Sequence, residues 1–409
     1  MKNHAEILNK ILLQRAIVYP DSEIHGGIAG FYDYGSVGAT IKHRWEDYWR
    51  NYFLNLYDNF HEIQTSTIMP RQVFKASGHL KHFFDPIAEC SRCGNRMKAD
   101  ELLEGILHKS FDGVSPKELN EILEEQNVRC PKCGGKFKKI TNFELMFSVG
   151  VGAGEEREIA YLRPETAQGP YTAFKREFRA NRQRLPLGLA VIGKAYRNEI
   201  SPRQGVIRTR EFTQAELQIF FDPEELPEVP FENIKNRKMP ILIPSRDKPM
   251  SMTSIQASKK LGMEPFFVYF LEKTYEFMVA MGFNKREQNF RLRQLAEGEK
   301  AFYNKYHVDL ECWSPSYEKW IEVGGFHYRT DHDLRGHQKV SGESLKVSCN
   351  GKKVLPHVLE LSFGVDRNIF LILDNSLVVD EKNGRVYLSL PPEIAPFDAG
   401  VYPLVNRDG

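Results

Sequence analysis

The stretch RTREFTQAELQIFFD, residues 208–222, decides how the rest of the chain is read. Taken as a strand, it puts Arg208, Arg210, Phe212, Gln214, Glu216 and Gln218 on one face and Ala215, Leu217, Ile219 and Phe221 on the other. The second set is a core face. The first aligns cations, an aromatic ring and a carboxylate, and burying such a row is unfavourable unless it meets a charged ligand. Just upstream, Gly188–Ile200 has the same strand texture, and Pro202, Arg203, Gln204 and Gly205 between the two runs are turn formers. The two runs are expected to pair as an antiparallel hairpin, bringing Arg197 and Glu199 beside the charged row. Positive centres, an aromatic platform and carboxylates together suit a nucleotide triphosphate and a cationic amine.

A second segment, HVLELSFGVDR at 357–367, changes period from two to about 3.6 and reads as strand, turn, helix. Glu360 and Ser362 point one way and Leu359, Leu361 and Phe363 the other; Val365, Ile369, Ile372 and Leu373 then mark a buried helix face. Arg367 falls in the first helical turn, where the macrodipole disfavours a cation. A bound anion or a nearby carboxylate would relieve that conflict.

Working outward, Val37, Ile41, Trp45, Tyr48, Tyr52 and Leu56 describe one face of a long amphipathic helix whose aromatic character suits a domain core or a subunit interface. Gln64–Met69 reads as a strand stopped by Pro70. Residues 90–133 interrupt the chain with a knuckle, a charged helical stretch around Glu118–Glu125 and a second knuckle. Pro223–Pro249, rich in proline and charge, is expected to be a surface excursion outside the core. Thr253 and Gln256 have capping-box spacing ahead of a helix ended by Gly262, and Phe267–Met281 forms another helix stopped by Gly282.

The 409 residues are 41% hydrophobic, enough for a substantial core, and 56 basic residues nearly cancel 54 acidic ones, so any RNA contact must be local. No apolar run approaches the roughly 20 residues needed to span a bilayer, and the start MKNHAEILNK lacks a signal-peptide core, giving a cytoplasmic reading. Four of the six cysteines form two C-x-x-C-G knuckles, Cys90/Cys93 and Cys130/Cys133, whose glycines permit the tight turn around a tetrahedral zinc ion. With all four positions filled, such a zinc would be structural. Cys312 and Cys349 have no partner pattern and read as ordinary thiols.

Together these segments resemble the signature motifs of class II aminoacyl-tRNA synthetases, specifically the homodimeric kind of glycine–tRNA ligase. The segment 30–35 (GFYDYG), the aromatic helix and Pro70 resemble motif 1, the dimer interface of that family. The segments 193–203 (GKAYRNEISPR) and 208–212 (RTREF) resemble motif 2, 364–367 (GVDR) resembles motif 3, and 163–169 (RPETAQG) is similar to a glycine-binding segment. The resemblance implies an α+β fold, an antiparallel sheet flanked by helices with a zinc-ribbon-like insertion. It divides the chain into a catalytic domain at 1–88, 139–222 and 286–390, the zinc-knuckle insertion at 89–138, the excursion with helices at 223–285, and the start of a truncated anticodon-binding domain at 391–409. Residues 395–405 would be that domain's first strand, its remainder cut away or supplied by a separate chain.

By resemblance, the substrates are ATP, glycine and tRNA(Gly), with Mg2+ assisting. Arg197 would hold the α-phosphate, Glu199 the adenine amino group, Phe212 the adenine face, and Arg208 and Arg367 the outer phosphates; Arg197 and Arg367 are the catalytic pair. Asn198, Ile207, Arg210, Glu322, Val323 and Gly364 complete the ATP site, with Glu322 and Glu360 as metal-side carboxylates. Glycine would meet Lys98, Glu165, Phe212, Gln214, Glu216, Glu360 and Ser362, its ammonium held by the carboxylates while the walls refuse a methyl group. Two positions depart from the family pattern: Leu361 replaces a proline, and Lys98 replaces an arginine, keeping charge without the planar fork. The alternatives are a synthetase-like accessory subunit without catalysis, which the retained Arg197, Arg208 and Arg367 disfavour, and a related ligase for another small amino acid or acceptor. A zinc-ribbon nucleic-acid binder accounts for only a small part of the chain.

Overall fold

The computed structural model describes residues 2–403 apart from 110, 112, 154–156, 201, 203, 204, 286, 287 and 302. Its centre is a nine-stranded sheet. In chain order the strands are β1 (Phe60–Glu62), β2 (Leu187–Tyr196), β3 (Glu211–Phe221), β4 (Lys238–Leu242), β5 (Met250–Thr253), β6 (Phe290–Gln294), β7 (Tyr306–Ser314), β8 (Lys319–Thr330) and β9 (His357–Gly364). Across the sheet they run β5-β4-β6-β7-β8-β9-β3-β2-β1, antiparallel except at β1/β2 and β4/β6.

The expected hairpin is β2/β3, paired from Leu187↔Phe220 to Tyr196↔Glu211. Arg208 and Arg210 lie before β3, in the turn. Ala215, Leu217, Ile219 and Phe221 enter the main core, while Gln214, Glu216 and Gln218 are buried on the opposite face. That polar face is roofed by two helices, α2 (Gln168–Ala180) and α4 (His332–Ser341). The apolar face is covered by α1 (Ser36–Phe53), α3 (Pro265–Ala280) and α5 (Val365–Ser376).

In α1 the fully buried stripe is Ile41, Trp45, Trp49 and Phe53, one position round from the expected Tyr48 and Tyr52, which are half-buried. Trp45 meets Phe277 of α3 edge-on at 5.5 Å and Phe53 meets Phe363 of β9 at 5.2 Å, so this face is core. The Thr253/Gln256 capping box forms, and Gly262 caps that helix in the left-handed region. The strand expected at Gln64–Met69 is shorter and shifted: Ile68–Pro70 pairs with Glu158–Leu162 as an edge strand, where proline's missing N–H is tolerated.

Pro223–Pro249 corrects the sequence reading. It contributes β4 to the central sheet, and Ile234, Met239, Ile241 and Ile243 are buried in the main core. The prolines and charges flank that short apolar alternation and masked it. The insertion has its own small core of Ala88, Ala99, Leu102, Leu103, Phe111, Leu119, Leu123, Val128 and Ile140. Its helix Pro116–Glu125 starts at a Ser115/Glu118 capping box. Residues 395–403 form no strand, and Leu404 and Val405 lie outside the described residues. No helix among the described residues is long and apolar enough to cross a membrane.

Candidate active site

Two sites adjoin on the polar face of the sheet. The first is an open cavity of about 630 Å³ between the β2/β3 turn and the start of α5. Arg197, Glu199, Ile207, Arg208, Phe212, Gln214, Glu322, Val323, Ser362, Gly364 and Arg367 all line it, so the structure brings together most residues expected at a nucleotide site. Arg197 lies over the rings of Phe83 and Phe212, 5.5 and 5.3 Å from their centroids, and donates to the Pro164 carbonyl. Arg208 pairs with Glu199 at 3.0 Å and with Glu101 of the insertion at 3.0 Å.

Arg367 resolves its conflict with the α5 dipole by donating to the carbonyls of Ile207 (2.8 Å) and Glu322 (3.1 Å). Burial, with Arg197 and Arg208 nearby, holds its guanidinium below the usual arginine range, against the opposing pull of Glu322 and Glu199. Three arginines on one cavity make an anion site.

Two residues expected at the nucleotide site, Arg210 and Asn198, and Lys98, expected at glycine, stand apart from this cavity. Arg210 spends its guanidinium on the backbone carbonyls of Glu199 and Ala29, bracing the turn. Asn198 is fixed through its backbone N–H to Leu145. Lys98 pairs with Asp85 at 2.8 Å in an outer cleft shared with Arg197, Arg208 and Arg367. Ser201 and Arg203 lie outside the described residues.

The second site is a buried group of carboxylates. Glu216, 3% exposed, accepts hydrogen bonds from Thr166 (2.6 Å), Ser362 (2.8 Å) and Gln214 (3.0 Å). Burial, together with the charges of Glu360 and Glu165, pushes its carboxyl up to about 8. Burial also opposes ionisation of Glu360, but Arg329 and His327 overcome it and hold that carboxyl down at about 2. Glu165 is likewise held well below the usual range despite burial, by His79 and Arg329. Two carboxylates held below the usual range thus lie beside a third pushed above it, an arrangement suited to a cation.

Glu360 is committed to His327 Nδ1 (2.6 Å), Arg329 (3.3 Å) and Gln218 (2.8 Å) and does not line the nucleotide cavity. This corrects its reading as a metal-side carboxylate: its oxygens are taken by the sheet and by buried Arg329, which also grips Asp333 of α4 at 2.8 Å. Sequence reasoning missed Arg329, His327, Tyr171 and Asp366. Asp366 accepts from the Thr213 backbone and from Tyr34, tying α5 to β3 and to the 30–35 segment. Arg329 and His327 alternate with core residues along β8, the one legible signal that this strand carries a polar face.

The knuckle cysteines converge. Cys90 and Cys133 sulfurs are 3.5 Å apart and those of Cys93 and Cys130 3.8 Å, with Gly94 and Gly134 at φ 67° and 70° closing the two turns. Backbone amides of Cys93 and Arg92 lower the Cys90 thiol, while the neighbouring sulfurs push Cys133 up. The cluster has the donor set and spacing of a closed tetrahedral site.

Comparison with known proteins agrees with this geometry. Residues 147–376 match the tRNA synthetase class II core domain (G, H, P, S and T). The glycine–tRNA ligase of Pyrococcus abyssi is 37% identical over 98% of this chain and 84% of its own length. That of Methanothermobacter thermautotrophicus is 35% identical over 99% and 85%. Among solved structures, a Giardia lamblia prolyl-tRNA synthetase in complex with prolyl-adenylate superposes with a TM-score of 0.56 at 13% identity, covering 96% of this chain and 55% of the other; it bears on the fold alone. The arginine-lined cavity, the carboxylate site beside it and these relatives lead to one conclusion: the chain belongs to the glycine–tRNA ligase family of class II tRNA synthetases.

Proposed function

We propose that this protein activates glycine with ATP to glycyl-adenylate and transfers glycine to the 3′ end of tRNA(Gly). The observation that carries the reading is the contact between its two sites: Ser362 and Gln214 line the cationic cavity and both hydrogen-bond Glu216 of the carboxylate site. An anion and an ammonium bound there would sit side by side. Arg197 takes the α-phosphate, Phe212 and Glu199 the adenine, Arg208 and Arg367 the outer phosphates; Glu165, Glu216 and Ser362 take the ammonium. Glu360 acts from behind, fixing Arg329 and Gln218.

Glycine's carboxylate oxygen attacks the α-phosphorus and pyrophosphate leaves, a step that needs no general base. Catalysis is alignment plus neutralisation of charge on the phosphates. The terminal ribose hydroxyl of tRNA then attacks the glycyl carbonyl and gives up its proton to a phosphate oxygen of the adenylate, and AMP leaves with the electron pair of the broken bond between the carbonyl carbon and the phosphate oxygen. Mg2+ bound with the nucleotide would supply further charge neutralisation, and Glu322, exposed at the cavity rim near Arg367, is the carboxylate suited to it. Cys90, Cys93, Cys130 and Cys133 would hold a zinc ion, which would tie the two knuckles of the insertion together. A homodimer through the motif 1 segment follows from the family resemblance, and Ile24 and Ile28 are exposed beside that segment. A labelled-glycine charging assay tests the whole reaction: glycine is expected to become esterified to tRNA(Gly) with an intact 3′ end and not to periodate-oxidised tRNA. Equal labelling of both would contradict the proposal.

A further inference from the structure

Two rungs of side chains cross the polar face of the sheet. In one, His307 of β7, His327 of β8, Glu360 of β9 and Gln218 of β3 are register partners; in the next, Asp309, Gly325, Ser362 and Glu216 are. The β3 and β9 members belong to the carboxylate site. The β7 and β8 members form a cluster that joins that site through His327 and Glu360 but whose His327 Nε2 side the proposed reaction does not use.

In that cluster three ligand atoms converge. His307 Nε2 lies 3.1 Å from His327 Nε2 and 3.1 Å from Asp309 Oδ1, with side chains 17%, 17% and 13% exposed. Gly325 makes room for it, since a Cβ there would stand 2.3 Å from His327 Nε2. The outer partners of all three are set. His327 Nδ1 donates to the Glu360 carboxylate at 2.6 Å, so in the neutral imidazole Nε2 is the lone pair. Asp309 Oδ2 is turned to Arg293 at 3.4 Å, leaving Oδ1 inward.

His307 Nδ1 lies 3.3 Å from the Asn304 amide nitrogen, and the Asn304 Oδ1, buried, has no partner. A proton on His307 Nε2 satisfies the two imidazoles and Asp309 without an ion. Turning the Asn304 amide over lets Oδ1 accept from His307 Nδ1–H, which frees His307 Nε2 as a third electron-pair donor beside His327 Nε2 and Asp309 Oδ1. A cation would complete that arrangement.

We propose that His307, Asp309 and His327 bind a divalent transition ion of the zinc class, independent of the four cysteines, with water in the open fourth position. Two imidazoles and one carboxylate are a recurrent three-ligand set for such an ion, and a histidine ligand whose other nitrogen donates to a carboxylate is the usual outer arrangement. Tetrahedral coordination at Zn–N distances of roughly 2.0–2.1 Å separates ligand atoms by about 3.3 Å, so the observed pair opens by only a few tenths of an ångström. The ion would bridge β7 to β8 and hold His327 Nδ1–H toward Glu360.

Cobalt(II) titration of the full chain, prepared without a histidine tag, tests this. Two equivalents are expected, one with a thiolate charge-transfer band and one with only weak ligand-field bands. His307→Gln should remove the second and spare the first, and Asp309→Asn, closer in shape, should weaken the second by tenfold or more. The two sites have different spectra, so failure of the cysteine site leaves this test readable. A wild-type chain with no cobalt outside the thiolate signal, or a second equivalent that survives both substitutions, overturns the proposal.

Discussion

Replacing Glu216 by glutamine tests the amine site most sharply. The side chain keeps its length, and its partners Thr166 and Ser362 are hydroxyls that can rotate to accept from the new amide, so the fold should hold. What is lost is the carboxylate charge, which the free wild-type enzyme carries above about pH 8, so the comparison is made there. A hydrogen bond to a charged group contributes roughly 1.5–3 kcal/mol against about 0.5–1.5 for a neutral one, so glycine should lose about 1–2 kcal/mol, or roughly five- to thirtyfold in kcat/KM. The KM for ATP should stay near wild type.

The pH profile adds a readout that a packing defect would not mimic. In the wild type the Glu216 proton, retained up to about pH 8, must leave for the carboxylate to pair with an ammonium. KM for glycine should therefore rise as pH falls below about 8, approaching tenfold per unit. In Glu216→Gln this limb should be flat. Pyrophosphate exchange at varied glycine and pH measures both. A variant within twofold of wild type for glycine, or one that keeps the wild-type pH limb, would refute the role given to Glu216.

Other perturbations separate the remaining parts. Arg367→Gln removes a cation from the cavity while leaving a donor for the Ile207 or Glu322 carbonyl, and should lower kcat/KM for ATP by about a hundredfold or more with little change in melting temperature. Glu101→Gln frees Arg208 from a largely exposed carboxylate, so KM for ATP should fall, by no more than about fivefold, and the change should shrink in high salt. Cys130→Ser, or chelation of the wild type, should loosen the insertion's small core, seen as faster proteolysis between residues 99 and 125 while the main cooperative unfolding persists.

Much of this was legible in the sequence because the chemistry lies on strands with a strict period of two. Once residues 208–222 were read as a strand, the core face of Ala215, Leu217, Ile219 and Phe221 followed, and with it the polar row above the sheet. Arg367 was visible as a cation in the wrong turn of a helix; its backbone carbonyl partners were not, because they come from distant loops. Arg210 was misleading for a related reason: it shares spacing with the row but lies before β3, where its side chain braces a turn. β4 was hidden because its few apolar residues are embedded in proline and charge, and only pairing with β5 and β6 gives them a core. Arg329 and His327 carry no motif; they became functional candidates when sheet register put them against Glu360.

The most direct test of the account is glycine-dependent exchange of pyrophosphate into ATP in the absence of tRNA, with alanine and serine as controls. It isolates adenylate formation, the step the two adjoining sites are proposed to perform. The account predicts exchange with glycine and none above background with alanine or serine. No exchange from a folded, zinc-loaded chain, or equal exchange with alanine, would contradict it.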